Sequence, residues 1–103
     1  MDARAFVVDG HEVVLSGRER AVFEALAGRP GAVIPKARLA REIWGSAGSI
    51  DAVNTTVSRL RRRLGPAAGA VRTTRNRGYW LDVRARVVPG SRSPQPLPSD
   101  SGT

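Results

Sequence analysis

The sequence contains no cysteine, a single histidine and few aromatic residues. Without cysteine the chain has no disulfides and no thiolate chemistry, and His11 cannot build a metal site by itself. No apolar run approaches the roughly 20 residues that span a bilayer, and the N-terminus lacks the charged-then-apolar order of a signal peptide. We therefore expect a cytoplasmic protein that needs no metal or cofactor and does not enter a membrane.

Groups that could perform catalysis are also missing. The 103 residues contain no evident Ser/His/Asp set, carboxylate pair or glycine-rich phosphate loop. The sequence therefore predicts that the chain is not an enzyme. The hydrophobic content of 41% and charged content of 25% are instead typical of one small globular domain with a modest core.

Positive charge is abundant and unevenly placed. Lysine and arginine total 17 against 9 acidic residues, a net charge of +8, and no acidic residue lies between Asp51 and Asp82. An excess of this kind favours a polyanionic partner, in the first place nucleic acid. Alternatively, the positive residues form a solvated helix face, a patch that binds a membrane surface, or a surface that binds an acidic protein. The arginines in the acid-free segment are Arg59, Arg61, Arg62, Arg63, Arg72, Arg75 and Arg77.

The first half of the chain predicts a β-hairpin followed by a helix. Two strand-prone runs between residues 5 and 15 flank Asp9-Gly10, a pair suited to a tight hairpin turn. Ser16 and Glu19 have the spacing of a capping box, so a helix should begin at residue 17 or 18 and end near residue 27. The residues at helical spacing that predict its buried face are Val22, Phe23 and Leu26.

Two further helices follow. A short extended piece leads to Pro35, a favourable residue at a helix entry, and a helix closed by Gly45 buries Leu39, Ile43 and Trp44. A third helix over residues 50–64 is amphipathic. Its predicted core face is Val53, Val57, Leu60 and Leu64, and its opposite face is Asp51, Thr55, Ser58, Arg59 and Arg62, with Asn54 and Arg61 on the flank.

The C-terminal part predicts a second hairpin and then a tail. After the loop at residues 65–70, the runs VRTT and YWLDV are strand-prone and the turn between them carries Arg75 and Arg77. From residue 87 the chain becomes rich in proline, serine and glycine, which indicates disorder. We therefore predict one folded domain at residues 1–86 and a disordered tail at residues 87–103.

The order hairpin, three helices, hairpin is that of an α+β winged helix-turn-helix. The major groove of double-stranded DNA admits one helix, whose polar side chains reach base edges while arginines hold phosphates. Asn54 and Arg59 are the leading candidates for reading bases, and the small Thr55 and Ser58 allow close approach. Arg61 and Arg62 would hold phosphates. The tip of the second hairpin, with Arg75 and Arg77, suits a narrow minor groove.

The segments VSRLRRRLG and VRTTRNRGYWL resemble the closing signature of the OmpR/PhoB-type response-regulator effector domain. The resemblance runs from about residue 8 to residue 83 and implies sequence-specific DNA binding in two-component transcription regulation. It makes the third helix the recognition helix, the second hairpin the wing, and Tyr79 the aromatic that closes this wing onto the core. By the same resemblance Asn54, Thr55, Ser58 and Arg59 would contact bases, Arg61 the DNA backbone, and Thr73 and Arg75 the DNA through the wing.

The resemblance also bears on partners and on the rest of the protein. Some relatives contact RNA polymerase through the connector after the second helix, and many bind direct repeats as tandem dimers. Family members commonly open with a four-stranded sheet, whereas only one hairpin fits before Ser16, so we expect a truncated sheet. TTRNRGYWL is also similar to the winged-helix appendage of actinobacterial uroporphyrinogen-III synthase-like regulators. Either way, we expect this domain to be part of a longer chain.

Overall fold

Asp9 and Gly10 fold the N-terminal segment back on itself. In the computed structural model, which describes residues 3–90, strand β1 (Arg4–Val8) and strand β2 (His11–Leu15) pair in antiparallel fashion. Both turn residues have positive φ angles, 49° at Asp9 and 84° at Gly10, as a two-residue hairpin turn of the favoured hand requires. The predicted N-terminal hairpin is confirmed.

A third strand completes this sheet from the far end of the described chain. Strand β6 (Val87–Pro89) pairs with β1, so the sheet order is β2-β1-β6. The assignment of residues 87–89 to the tail is therefore wrong, because pairing with the free edge of β1 outweighs the local composition. Hydrogen bonds between Asp9 and Arg86 in both directions, each 2.8 Å, fix the approach of this strand. Of the remaining predicted tail, Gly90 is still described, and residues 91–103 lie outside the described residues.

Three helices form with the predicted bounds: α1 (Gly17–Ala27), α2 (Lys36–Trp44) and α3 (Ile50–Leu64). α1 and α3 pack on this sheet, and α2 packs on the other two helices. The predicted core faces of α1 and α3 are buried throughout. On α2 the prediction is partly wrong, because Ile43 and Trp44 are only half-buried and Ala40 is buried beside Leu39. Among residues 3–90, no helix combines the length and the apolar character needed to cross a membrane.

The predicted capping box at the start of α1 does not form. Ser16 occupies the N-cap position, but its side chain makes no capping hydrogen bond. Glu19 instead accepts a hydrogen bond from Nε of Arg63 on α3, at 3.0 Å. This charge-assisted bond engages the carboxylate that the capping box would use and ties the start of α1 to the end of α3.

The second hairpin forms a separate three-stranded sheet. The predicted loop at residues 65–70 is a short 3-10 helix, after which β4 (Val71–Thr74) and β5 (Gly78–Leu81) pair as predicted. β5 also pairs with the two-residue strand β3 (Ile34–Pro35), giving the order β3-β5-β4. A Cβ at Gly78 would lie 1.9 Å from the Ile34 carbonyl oxygen, so the close approach of β5 to β3 requires glycine.

Candidate nucleic-acid interface

The polar face of α3 stays free of the core. Ser49 caps the helix by accepting a hydrogen bond from the backbone N–H of Ala52 at 3.1 Å, which fixes the first turn. The core side chains then alternate with polar ones at helical spacing, so burial of one face presents the other to solvent. The exposed polar residues of this outer face are Asp51, Thr55, Ser58, Arg59 and Arg62, with Asn54 half-buried at its edge.

Two arginines on this face of α3 and two at the tip of the second hairpin have no acidic partner, whereas Arg72 on β4 pairs with Asp82 at 3.9 Å. Within residues 3–90, the exposed side chains of Arg59, Arg62, Arg75 and Arg77 make no ion pair and no hydrogen bond. Elsewhere carboxylates neutralise several arginines, as where Arg4 and Arg20 share Glu24 at 3.1 Å, Arg38 meets Glu42 at 2.8 Å, and Arg63 meets Glu19 at 3.0 Å. Positive charge is thus left available on α3 and on the wing.

Arg61 joins α3 to the wing. Its Nε and Nη2 atoms donate to the carbonyl oxygen of Val71 at 3.1 and 2.8 Å, and Nη2 also donates to Oγ1 of Thr73 at 2.6 Å. These bonds fix the first strand of the wing against the flank of the helix. They engage two of the three guanidinium nitrogens, so the predicted contact of Arg61 with the DNA backbone depends on Nη1.

Tyr79 makes a second connection between the same two elements. Its hydroxyl donates to Oδ1 of Asn54 at 2.6 Å, and its side chain is only 5% exposed. The ring contacts two cations, with Nζ of Lys36 5.4 Å and the guanidinium carbon of Arg61 5.7 Å from its centre. Burial raises the pKa of the Tyr79 hydroxyl above its usual 10.0, although the charge of Arg61 opposes this. Tyr79 therefore closes the wing onto the domain, as the resemblance implies.

The tip of the wing projects beyond these contacts. The backbone N–H of Arg77 donates to the Thr74 carbonyl at 2.9 Å, and Asn76 adopts a positive φ of 61°, which asparagine tolerates in turns. Arg75 and Arg77 are exposed on either side. Arg75 follows Thr73 by two residues, so at about 3.3 Å per residue the tip begins about 7 Å beyond the helix contact.

Thr73 lies where the helix and the wing meet. Its Oγ1 accepts the hydrogen bond from Arg61, which leaves its own hydroxyl proton available to an external acceptor. The residue is exposed. Such a hydroxyl can donate to a phosphate oxygen, the contact that backbone-positioning side chains make with DNA.

Sequence reasoning missed one residue pair beside this surface. The guanidinium of Arg18, at the start of α1, lies 5.0 Å from the ring centre of Trp44 at the end of α2. Both line a groove that continues to Thr55 and Arg59 on α3. Nothing in the spacing of the sequence indicates this contact, because its two members belong to different elements.

The elements that build this surface match a known family. Residues 10–81 match the family model described as "Transcriptional regulatory protein, C terminal". The chain belongs to this family. These are the C-terminal domains of OmpR/PhoB-type regulators, and the resemblance seen in the sequence is thereby confirmed.

Individual relatives of this OmpR/PhoB-type domain agree with the assignment. The chain is 31% identical over 84 residues to the transcriptional activator protein IrlR of Burkholderia pseudomallei, covering 78% of this chain and 37% of that protein. It therefore spans little more than a third of the curated relatives that it matches.

Solved structures show the same fold. The C-terminal domain of the nisin resistance regulator NsrR is 28% identical with a TM-score of 0.60, covering 69% of this chain and 76% of that one. The C-terminal DNA-binding domain of RstA from Klebsiella pneumoniae is 27% identical with a TM-score of 0.59, covering 75% and 74%. The α+β winged helix-turn-helix is confirmed, and the family and fold are those of DNA-binding domains of transcription regulators.

Proposed function

We propose that this domain binds double-stranded DNA sequence-specifically to regulate transcription, and that it acts by binding and not by catalysis. The observation that carries the proposal is the set of exposed, unpaired guanidinium groups on α3 and on the wing tip. The hydrogen bonds of Arg61 and Tyr79 hold these two elements together. A fixed helix and wing can engage neighbouring grooves of one duplex without first being ordered.

The roles of the residues follow from their places. α3 enters the major groove, where Arg59 and Asn54 reach base edges and the small Thr55 and Ser58 allow close approach. Arg62, with Nη1 of Arg61, holds phosphates on the flank of the helix. Thr73 donates to a phosphate at the start of the wing, and Arg75 and Arg77 enter the minor groove, where a narrow groove attracts arginine.

The rest of the protein belongs to the same proposal. Because this chain spans about a third of its curated relatives, we propose that the domain works as the effector part of a longer cytoplasmic regulator. By analogy with its family, a second copy bound in tandem on direct repeats and RNA polymerase are the partners we expect beside DNA.

The decisive experiment is a selection of random double-stranded DNA by the purified domain at two salt concentrations. We expect an enriched motif of half-site length. Binding should weaken with salt at a log–log slope of about −0.9 per phosphate contacted. Retention without enrichment would contradict sequence-specific binding, and the absence of retention would redirect the search to an acidic protein partner.

A matched pair of variants separates the proposed surface from net charge alone. Arg59→Ala/Arg75→Ala removes two unpaired charges from the proposed interface, while Arg29→Ala/Arg86→Ala removes two exposed charges outside it. The first variant should lose preference at the Arg59 base pair and at an A·T-rich flank, and the second should retain the whole motif. Equal losses in both would show that binding depends on overall charge and not on this surface.

A further inference from the structure

The wing holds one side-chain amide of α3 in a fixed orientation. Oδ1 of Asn54 accepts the hydrogen bond of the Tyr79 hydroxyl at 2.6 Å. Asn54 is half-buried at the edge of the exposed face, next to Thr55 and Ser58. The amide is therefore close enough to the proposed DNA surface to read a base, yet its oxygen is bound on the side of the wing.

Tyr79 is firmly anchored and cannot follow Asn54 toward the DNA. Its strand pairs on both sides, with Tyr79 opposite Ile34 on β3 and opposite Thr73 on β4. Lys36 and Arg61 contact its ring. Because burial raises the pKa of its hydroxyl above 10.0, the hydroxyl stays protonated at neutral pH and acts as a donor.

An asparagine side chain has one accepting oxygen and one donating NH₂ group. Pairing with adenine in the major groove uses both, since the oxygen accepts from N6 while the NH₂ group donates to N7. In this domain the hydrogen bond from Tyr79 uses one of the two lone pairs of that oxygen and turns the oxygen toward the wing. Since the two polar atoms diverge from Cγ, holding Oδ1 against the wing leaves Nδ2 as the atom directed away from it.

We propose that Tyr79 is a specificity-determining positioning residue that restricts Asn54 to donating hydrogen bonds. This inference rests on the proposed function. Asn54 then favours base edges rich in acceptors, above all N7 and O6 of guanine, over the two-sided contact with adenine. This preference differs from the two-sided contact with adenine that asparagine makes where both of its polar atoms are available.

The test compares the motifs selected by the wild-type domain and three variants. Asn54→Ala identifies the base pair that Asn54 contacts, because preference at that pair should be lost. Tyr79→Phe frees Oδ1 and should shift preference at the same pair from guanine toward adenine by about tenfold, within the range that one good base contact supplies. Lys36→Ala is the matched control, since it removes a ring contact and leaves the hydroxyl in place, and its motif should be unchanged.

A fourth variant covers the case in which Tyr79→Phe unfolds the domain. Asn54→Asp keeps an acceptor for the Tyr79 hydroxyl and replaces the outward NH₂ group with an oxygen. This variant should therefore prefer cytosine, whose N4 amino group is a donor, in place of guanine. Circular dichroism and thermal unfolding of each variant report its folding independently of DNA.

The outcomes distinguish the two proposals. A wild-type motif that Tyr79→Phe binds more weakly, without any shift at the Asn54 pair, would show that Tyr79 is structural only. A motif that Asn54→Ala leaves unchanged would likewise overturn the inference and leave the proposed function intact. Failure of the wild-type domain to enrich any motif would overturn both.

Discussion

The guanidinium of Arg61 spans the junction between α3 and β4 and donates to the Val71 carbonyl through both Nε and Nη2, at 3.1 and 2.8 Å. Removing it leaves a partly buried carbonyl without its donor, and hydrogen bonds to charged groups contribute about 1.5–3 kcal/mol. Arg61→Ala should therefore lower the free energy of unfolding by about 2 kcal/mol, as measured by denaturant titration.

Arg62 is the matched control for this change. It is the next residue on α3, but it is exposed and makes no hydrogen bond, ion pair or ring contact with another described residue. Arg62→Ala should leave the free energy of unfolding within about 0.5 kcal/mol of wild type and reduce the salt slope of DNA binding by about 1. Equal destabilisation by both variants would contradict the bridging role of Arg61.

Arg59 is the arginine that we expect to read a base. Its side chain lies on the exposed face of α3 and has no protein partner among residues 3–90. Arg59→Ala should cost roughly 1–3 kcal/mol on the selected site and relax preference at one base pair. Binding assays on the selected site and on single-base variants measure this. An equal loss on all sequences would demote Arg59 to a phosphate contact.

The wing tip should act through groove width. Arg75 projects from the turn and is exposed, and arginine is attracted to the narrow minor groove of A·T-rich DNA. Arg75→Ala should weaken binding most at sites with an A·T-rich flank and least at sites with a G·C-rich flank. Arg29→Ala, an equal charge change outside the interface, should not discriminate between the two. Unchanged binding by Arg75→Ala at both sites would remove the wing tip from the interface.

Gly78 and Gly69 provide a test of the close pairing between β3 and the wing strand β5. A Cβ at Gly78 would lie 1.9 Å from the Ile34 oxygen, whereas a Cβ at Gly69 meets no atom within 4 Å. Gly78→Ala should destabilise the domain by at least about 2 kcal/mol, in the range of overpacking, and weaken DNA binding. Gly69→Ala should change neither. Thermal unfolding compares them, and a tolerated Gly78→Ala would show that β3 and β5 separate at little cost.

Tyr79 is the only tyrosine in the sequence, so its ionisation can be followed by the ultraviolet absorbance of the phenolate. Its pKa should exceed 10.0, since burial raises it and the Arg61 charge only partly opposes this. Because folding favours the protonated form, its contribution to stability is complete below pH 10.0 and is lost as the pH rises toward the folded-state pKa. Asn54→Ala removes the acceptor of the Tyr79 hydroxyl and should therefore lower the pKa of Tyr79. A pKa that this variant leaves unchanged would contradict the hydrogen bond between Tyr79 and Asn54.

Local sequence patterns predict most of this fold, because turn residues and the spacing of apolar residues specify most of its helices and strands. The turn at Asp9-Gly10 and the buried face of α3 follow from residue types at fixed spacing, and both are confirmed. Strand β6 could not be predicted in this way, because residues 87–89 form a strand only by pairing with the edge of β1. The capping box failed for a related reason: Arg63, distant in sequence, binds Glu19.

The candidate surface shows the same limit. Helical spacing places Arg59 and Arg62 on the outer face correctly. The spacing does not reveal that Arg61, between them, is engaged by β4, or that Asn54 is bound by a residue 25 positions later. Those contacts join elements that are distant in sequence. They also determine which hydrogen-bonding atoms of each side chain remain available to a ligand.

Strand β6 brings the two limits of the described chain together, since the backbone N–H of Gly90 donates to the carbonyl of Ala5 at 2.9 Å. These segments lie on the sheet that packs against the buried side of α3, away from its polar face. A circular permutant that joins them through a short linker and opens the exposed turn at residues 28–33, before β3, should therefore fold with an intact helix and wing. Insertion of the domain into a host protein through these two segments should likewise leave the polar face of α3 accessible.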